Sequence, residues 1–98
     1  MNLSVLIPLL NEQNSIEELI STISLVVNDL NLEYEIILID DGSTDNSWGI
    51  ITKICKSNSN VNLIKLLKNF GKSQAISAGF KVCKGEVVIT MEADLQDD

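Results

Sequence analysis

The chain is 98 residues long, 45% hydrophobic and carries a formal net charge of −7, enough for one domain with one modest core and unfavourable for a nucleic-acid backbone as partner. It has no histidine and no arginine, and its two cysteines, Cys55 and Cys83, stand far apart, which excludes a disulfide scaffold, a Cys/His zinc site and a Ser-His-Asp triad within these residues. No apolar run approaches the roughly 18 residues of a membrane span and Met1-Asn2-Leu3 lacks a basic region, so the sequence reads as a soluble cytoplasmic chain with two free, buried thiols.

Leu3-Ser4-Val5-Leu6-Ile7-Pro8 predicts a first buried strand, with Pro8 at its end because proline cannot donate to a ladder. Asn11-Glu12-Gln13-Asn14 is a loop. From Ser15 the period changes: Ile16, Leu19, Ile20, Ile23, Val26, Val27 and Leu30 recur at i, i+3, i+4 and i+7, an amphipathic helix with Ser15 and Glu18 as a capping box. Residues 34–39 form a second buried strand that ends in Asp40-Asp41, and residues 42–47 are turn chemistry crowded with helix caps. A short helix follows, with Trp48, Ile51, Ile54 and Cys55 on its apolar face and Gly49 weakening it. Residues 61–66 alternate, the mark of a half-buried edge strand. After Asn69-Phe70-Gly71 comes a third helix, with Ala75, Ile76, Gly79, Phe80 and Cys83 at helical spacing and Gly85 as its C-cap; Ala75, Ala78 and Gly79 let it sit close to a sheet. The fourth strand, 86–91, reads as fully buried by its β-branching and lack of alternation.

Strand and helix alternate throughout, so the expected fold class is α/β: a partial doubly wound parallel sheet, β-α-β-α-β-α-β, in the order 3-2-1-4 with helices on both faces. In such sheets ligands bind outside the carboxyl ends of the strands. Every polar cluster of the chain follows a strand: Asn11-Glu12, Asp40-Asp41-Gly42-Ser43, residues 69–72, and residues 92–96. Glu92 and Asp94, one residue apart at a strand end, project to the same side of an extended backbone and can share Mg²⁺ or Mn²⁺ together with substrate phosphates; Gln96 continues the spacing. With strands one and four adjacent, Glu12 faces the Glu92/Asp94 pair, Asp41 lies one strand away, and a nucleotide can rest its base and ribose on Pro8, Glu12 and Asp41. Plainer readings compete: a solvated acidic turn at 92–94, an N-cap turn at 40–43, and a solvated Lys72 in place of a phosphate ligand at a helix N-terminus. Gly71-Lys72-Ser73 also looks like the end of a P-loop, but the first glycine that motif needs falls at Leu66. All seven lysines lie in 53–84, a segment without an acid, with nine acids before it and five after. That segregation is either solvated helix surface or a means of steering an anionic ligand or membrane surface.

Taken together, residues 6–12, 39–45, 69–72 and 91–97 resemble the family 2 glycosyltransferases of GT-A fold, and among them the bacterial polyprenyl-phosphate glycosyltransferases and dolichyl-phosphate mannose synthases. The resemblance covers the whole chain. It implies that Pro8, Glu12, Ile39 and Asp41 hold the nucleoside, with Leu10, Lys72 and Ala93 also in the donor site, and that Glu92, Asp94 and Gln96 hold the metal and diphosphate, Asp94 serving catalysis. Two positions depart from the family pattern: Leu10 replaces a common aromatic residue, and Glu92 the usual first aspartate. The implied reaction is inverting transfer of a sugar from a nucleotide-sugar to a polyprenyl phosphate at the cytoplasmic face of a membrane, for cell-envelope polysaccharide. By the same resemblance residues 1–98 are the N-terminal, nucleotide-sugar-binding part of a glycosyltransferase domain that stops after the metal motif. They would then be inactive alone and open to self-association along a sheet edge. The alternatives are a receiver-like signalling module, whose acidic pair should follow the first strand, and an inactive remnant.

Overall fold

The structure, a computed structural model, describes residues 1–93; Asp94, Leu95, Gln96, Asp97 and Asp98 lie outside the described residues. Along the chain run β1 (Leu3–Leu9), α1 (Ile16–Asp29), β2 (Tyr34–Asp40), α2 (Ser47–Ser57), β3 (Val61–Lys65), α3 (Lys72–Phe80) and β4 (Val87–Thr90). The four strands are parallel and stand in the order β3-β2-β1-β4, as the alternation predicts.

Handedness then assigns the helices to faces. The crossovers β1 to β2 and β2 to β3 step one way across the sheet and β3 to β4 steps back, so right-handed connections place α1 and α2 on one face and α3 on the other. Side-chain parity agrees. Leu3, Val5, Ile7 and Leu9 of β1 and Tyr34, Ile36 and Leu38 of β2 pack with Ile16, Leu19, Ile20 and Ile23 of α1 and Ile51 of α2. Their neighbours Leu6, Ile37 and Ile39 pack on the opposite face beneath Ala75 of α3. β1 and β2 are therefore covered on both faces, which is why their sequences are near-continuous apolar runs. Pro8 is tolerated inside β1, paired with Ile39, because its missing N–H would point toward β4, whose pairing with β1 stops at Leu6.

Three expectations about the core need correction. β4 is not fully buried: Val87 is 57% and Ile89 44% exposed, because the sheet ends there among the described residues and only Val88 packs under α3. Val26 and Leu30 of the α1 stripe and Phe80 of α3 are likewise exposed. The apolar periodicity is real, but among the described residues no partner covers these positions. Gly85 is not a C-cap either. α3 ends at Phe80 with Lys81 as its cap, and Gly85 instead lets the chain pass against β1. A Cβ on Gly85 would lie 2.5 Å from the Ser4 nitrogen and 2.6 Å from the Leu3 carbonyl carbon.

That close passage is locked by a buried carboxylate. Glu35, at the start of β2 on the α3 face, accepts from the Ser4 hydroxyl at 2.6 Å and from the Lys84 N–H at 2.6 Å, while the Gly85 N–H donates to Ser4 Oγ at 2.8 Å. A charge so placed is tolerable only because these donors replace water. The network sets where β4 begins, and so how far along the rim it ends.

The two close-packed glycines should respond differently to a methyl group. At Gly79 an added Cβ meets the δ-methyls of Leu6 and Ile39 at 3.1 to 3.2 Å, side-chain tips that can give way. The gain in helix propensity, roughly 1 kcal/mol, should offset most of the strain. At Gly85 the obstacle is backbone. Urea unfolding should show Gly79→Ala within about 1 kcal/mol of the parent and Gly85→Ala lower by about 3 kcal/mol; equal losses would mean that β4 is not seated against Ser4.

Candidate active site

The carboxyl rim is assembled from loops that hold one another. Asn11, in the left-handed conformation at φ 55 that asparagine tolerates, follows β1. Its N–H donates to Ser43 Oγ at 2.9 Å, and its Oδ1 accepts the N–H groups of Thr44 at 2.8 Å and Asp45 at 3.1 Å. The Glu12 N–H donates to Ser47 Oγ and the Asn46 N–H to Gln13 Oε1, both at 2.9 Å. The turn after β1 is thus latched to the turn after β2 by side chains of both. Asp45 belongs to this latch: although partial burial works against its charge, hydrogen bonds from Ser47 and from the Gln13 N–H hold its carboxyl below the ordinary value of 3.8.

The adjacent acids at the end of β2 do different work. Asp40 is wholly buried; its Oδ1 accepts the Ser43 N–H at 2.8 Å, and its Oδ2 has no hydrogen-bond partner among the described residues. Asp41, 5% exposed, accepts the Phe70 N–H on Oδ1 at 2.8 Å and the Gly71 N–H on Oδ2 at 3.0 Å. Gly42, at φ 85, has the turn 66–71 so close that a Cβ would lie 2.6 Å from the Asn69 nitrogen. Asp41 therefore positions the start of α3 without any ligand. Between this clamp and the end of β1 opens a cleft of about 190 Å³ lined by Pro8, Leu9, Leu10, Asp41, Asn69, Gly71 and Lys72.

At the cleft's edge the Lys72 ammonium contacts Glu92 Oε1 at 2.5 Å, both side chains being largely exposed. Ser15 ties the same turn to α1. Its Oγ lies 3.0 Å from Glu12 Oε1 and 3.2 Å from the Ala93 carbonyl oxygen, and it makes no cap hydrogen bond within its helix. The expected capping box with Glu18 is not formed: Ser15 has helical ψ (−15), and its hydroxyl is turned to Glu12 of its own loop and to Ala93. Ala93 is buried against the α1 side of the core.

Of the residues singled out from the sequence, Pro8, Leu10, Asp41 and Lys72 line one cleft, Glu92 meets Lys72, and Glu12 and Ala93 meet at Ser15. The Ile39 side chain does not reach the cleft; it is enclosed with Leu6, Ile37 and Ala75 under α3. Asp94 and Gln96 fall outside the described residues, and among those described no three acidic, histidine or cysteine side chains converge as a metal cluster. Asn11 and residues 69–71 stand on the rim as the sequence places them, but the latching role of Asn11, the contact of Ser15 with Glu12 and Ala93, and the Phe70 and Gly71 N–H groups as partners of Asp41 have no signal in the sequence.

Asp41→Asn replaces one acceptor by a donor facing a backbone N–H. It should cost about 2 kcal/mol in urea unfolding and speed amide exchange at Phe70 and Gly71. Unchanged exchange at both would refute the clamp. Since the depressed Asp45 pKa favours the folded state once the group is ionised, its stabilisation is complete above the ordinary value of 3.8 and is lost as pH falls through that value toward the lower folded one. Asp45→Asn should flatten that part of the stability profile on acid titration.

A family model described as glycosyl transferase family 2 matches residues 4–98. The chain is 46% identical over 95 residues to the undecaprenyl-phosphate 4-deoxy-4-formamido-L-arabinose transferase of Pseudomonas fluorescens (strain SBW25), a match spanning 96% of this chain and 28% of that protein. S. aureus TarS 1-349, solved in complex with UDP-GlcNAc, superposes with a TM-score of 0.81 at 26% identity, over 96% of this chain and 27% of that one. Glucosyl-3-phosphoglycerate synthase from Mycobacterium tuberculosis, solved with Mn²⁺, UDP and phosphoglyceric acid, superposes with a TM-score of 0.70 at 29% identity, over 95% of this chain and 33% of that one. The chain thus spans about a quarter to a third of the length of these relatives. With the family model matched over nearly the whole sequence and the sheet in the β3-β2-β1-β4 order that matches GT-A transferase structures, the chain belongs to glycosyl transferase family 2.

Proposed function

We propose that residues 1–98 are the N-terminal, donor-binding part of an inverting, metal-dependent glycosyltransferase that moves a sugar from a nucleoside-diphosphate sugar to a polyprenyl phosphate. The observation that carries this reading is the cleft on the carboxyl rim, where Pro8, Leu10, Asp41 and Lys72 converge within an ion pair's reach of Glu92. The 46% identity to an undecaprenyl-phosphate transferase supports the acceptor class. The family assignment also replaces the receiver-like reading, whose acidic pair would follow β1 and not β2.

Pro8 and Leu10 offer an apolar wall to a base. Each Asp41 oxygen already accepts one backbone N–H and keeps acceptor capacity for a nucleoside donor, so clamp and recognition are compatible. The Glu12 carboxylate, half-buried beside Ser15, suits ribose hydroxyls. Lys72, in the first turn of α3, is placed for a phosphate, favoured by both its charge and the helix N-terminus. Glu92, Asp94 and Gln96 present oxygen donors only, the set that a hard cation such as Mg²⁺ or Mn²⁺ prefers, with Asp94 as principal ligand. When bound, the cation supplies stabilisation of the departing nucleoside diphosphate. The polyprenyl phosphate is already anionic at neutral pH and needs no strong general base. Donor binding draws Lys72 from Glu92 to the phosphate, freeing the carboxylate.

Calorimetric titration with a panel of nucleoside diphosphates, with and without Mn²⁺, tests the reading. Affinity should depend on Mn²⁺, and Asp94→Ala should abolish that dependence while the far-UV circular dichroism is unchanged. Lys72→Met should weaken nucleotide binding roughly tenfold or more, as expected for losing a charge-assisted contact, yet leave Mn²⁺ binding without nucleotide undiminished. Metal-independent binding would sink the proposal. Mixed with Mn²⁺, nucleotide-sugars and undecaprenyl phosphate in detergent, the 98-residue chain alone should form no labelled lipid, because holding the acceptor at the anomeric carbon is worth roughly 7–11 kcal/mol of the barrier.

A further inference from the structure

We infer that the turn 66–71, the end of β3 and the outer face of α2 form a docking surface for an anionic lipid bilayer, with Leu67 entering the headgroup layer. Leu67 is 95% exposed at the tip of a turn held rigid from behind, where the Asp41 carboxylate takes the Phe70 and Gly71 N–H groups and Gly42 packs against Asn69. A turn so fixed displays its leucine permanently to solvent. Lysines surround it. The Lys68 ammonium stands 5.2 Å from the Phe70 ring centroid, with Phe70 itself about half exposed, and the Lys65 ammonium stands 5.0 Å from the ring of Trp48. Lys53 and Lys56 continue the surface along α2, where they line a shallow open groove with Trp48.

The chemistry of the patch selects its partner. A protruding leucine ringed by cations over aromatic faces, with no enclosed pocket to receive a side chain, suits a fluid anionic layer into which apolar tips sink while ammonium groups stay among phosphates. Nucleotide contact does not account for it, because none of Lys53, Lys56, Lys65 and Lys68 lines the cleft, where the one lysine is Lys72. No acid occurs between Asp45 and Glu86, whereas the whole chain carries −7. A bilayer of like sign to the molecule would therefore repel its acidic surfaces and favour contact through this patch, where Lys53, Lys56, Lys65 and Lys68 accompany the exposed Leu67 and Phe70. Because Asn69 and Gly71 of the same turn line the cleft, docking brings the cleft beside the bilayer surface, where a lipid-linked phosphate acceptor would be met. The inference rests on the surface and not on the acceptor, and its test uses neither metal nor nucleotide.

The 98-residue chain is titrated with phosphatidylcholine vesicles and with vesicles containing phosphatidylglycerol, following co-sedimentation and the fluorescence of Trp48, the chain's single tryptophan. Binding with a blue shift is expected for the anionic vesicles only, weakening as salt rises. Lys65→Gln and Lys68→Gln should each lower the partition coefficient about fivefold, and Leu67→Gln about tenfold. Lys84→Gln, at the far end of the sheet beside Glu35, should leave it within about twofold. Absence of anionic binding by the folded chain, equal binding to both vesicle types, or a Lys84→Gln loss equal to that of Lys68→Gln would each overturn the assignment. A vesicle failure alongside Mn²⁺-dependent nucleotide binding would refute the docking surface alone.

Discussion

The rim depends on one carboxylate. Asp41 ends the most protected strand of the sheet and takes two successive backbone N–H groups from a turn about thirty residues further along the chain. Without it the Phe70 N–H would lose its partner and the Gly71 N–H would keep only Asn69 Oδ1 among the described residues, leaving the segment between β3 and α3 held by the Leu66 N–H on the Asp40 carbonyl and by the Gly42 contact. With it, the turn closes one side of the cleft, α3 starts where Lys72 can meet Glu92, and Leu67 is held away from the protein. The geometry of the cleft, of the Lys72–Glu92 pair and of the exposed turn is therefore coupled through the Asp41 clamp. That coupling is also why affinity changes at Asp41 alone cannot separate contact from positioning.

At the opposite end of the sheet a second carboxylate plays the complementary part. Glu35 gathers the Ser4 hydroxyl and the Lys84 N–H, and Gly85 passes between them at a distance that only glycine permits. β4 pairs with β1 over Leu3 to Leu6 and has no other strand beside it among the described residues. Its register thus rests on that anchor below and on Ser15 above, where Glu12 and Ala93 share one hydroxyl. A short strand fixed at both ends is a means of presenting Glu92 at a set height without a covered outer face.

What could be read from the sequence divides along the range of the interactions concerned. Strand order and helix faces follow from alternation and handedness, and the burial of β1 and β2 shows directly in runs such as Ile36-Ile37-Leu38-Ile39. Val87-Val88-Ile89 reads the same way, yet it stands at the sheet's edge, because an apolar run reports its own composition and not whether a neighbour exists. Ser15 and Glu18 satisfy a local capping pattern that is not formed, because Ser15 has helical backbone angles and its hydroxyl turns to Glu12 and Ala93. Gly85 suits a helix end equally well as a close crossing. The rim residues were legible as strand-terminal acids, but the Asp41 clamp needs partners at Phe70 and Gly71, and Ile39, two residues before Asp41 on the same face of the strand, lies further in and is covered by α3.

Charge follows the same architecture. Order 3-2-1-4 puts β3 at one edge and β4 at the other, and along the carboxyl rim charge divides between them: Lys65, Lys68 and Lys72 at the end of β3 and the start of α3, acids Glu12, Asp41, Asp45 and Glu92 after the other strands. Lys72 and Glu92 meet at the boundary, directly above the cleft. A nucleoside diphosphate entering there passes from the basic side toward acids that repel it unless a cation intervenes. The metal dependence proposed above would then reflect the placement of charge along the rim as well as the donor chemistry of residues 92–96, and Lys72 is the group whose transfer from carboxylate to phosphate would exchange one pairing for the other.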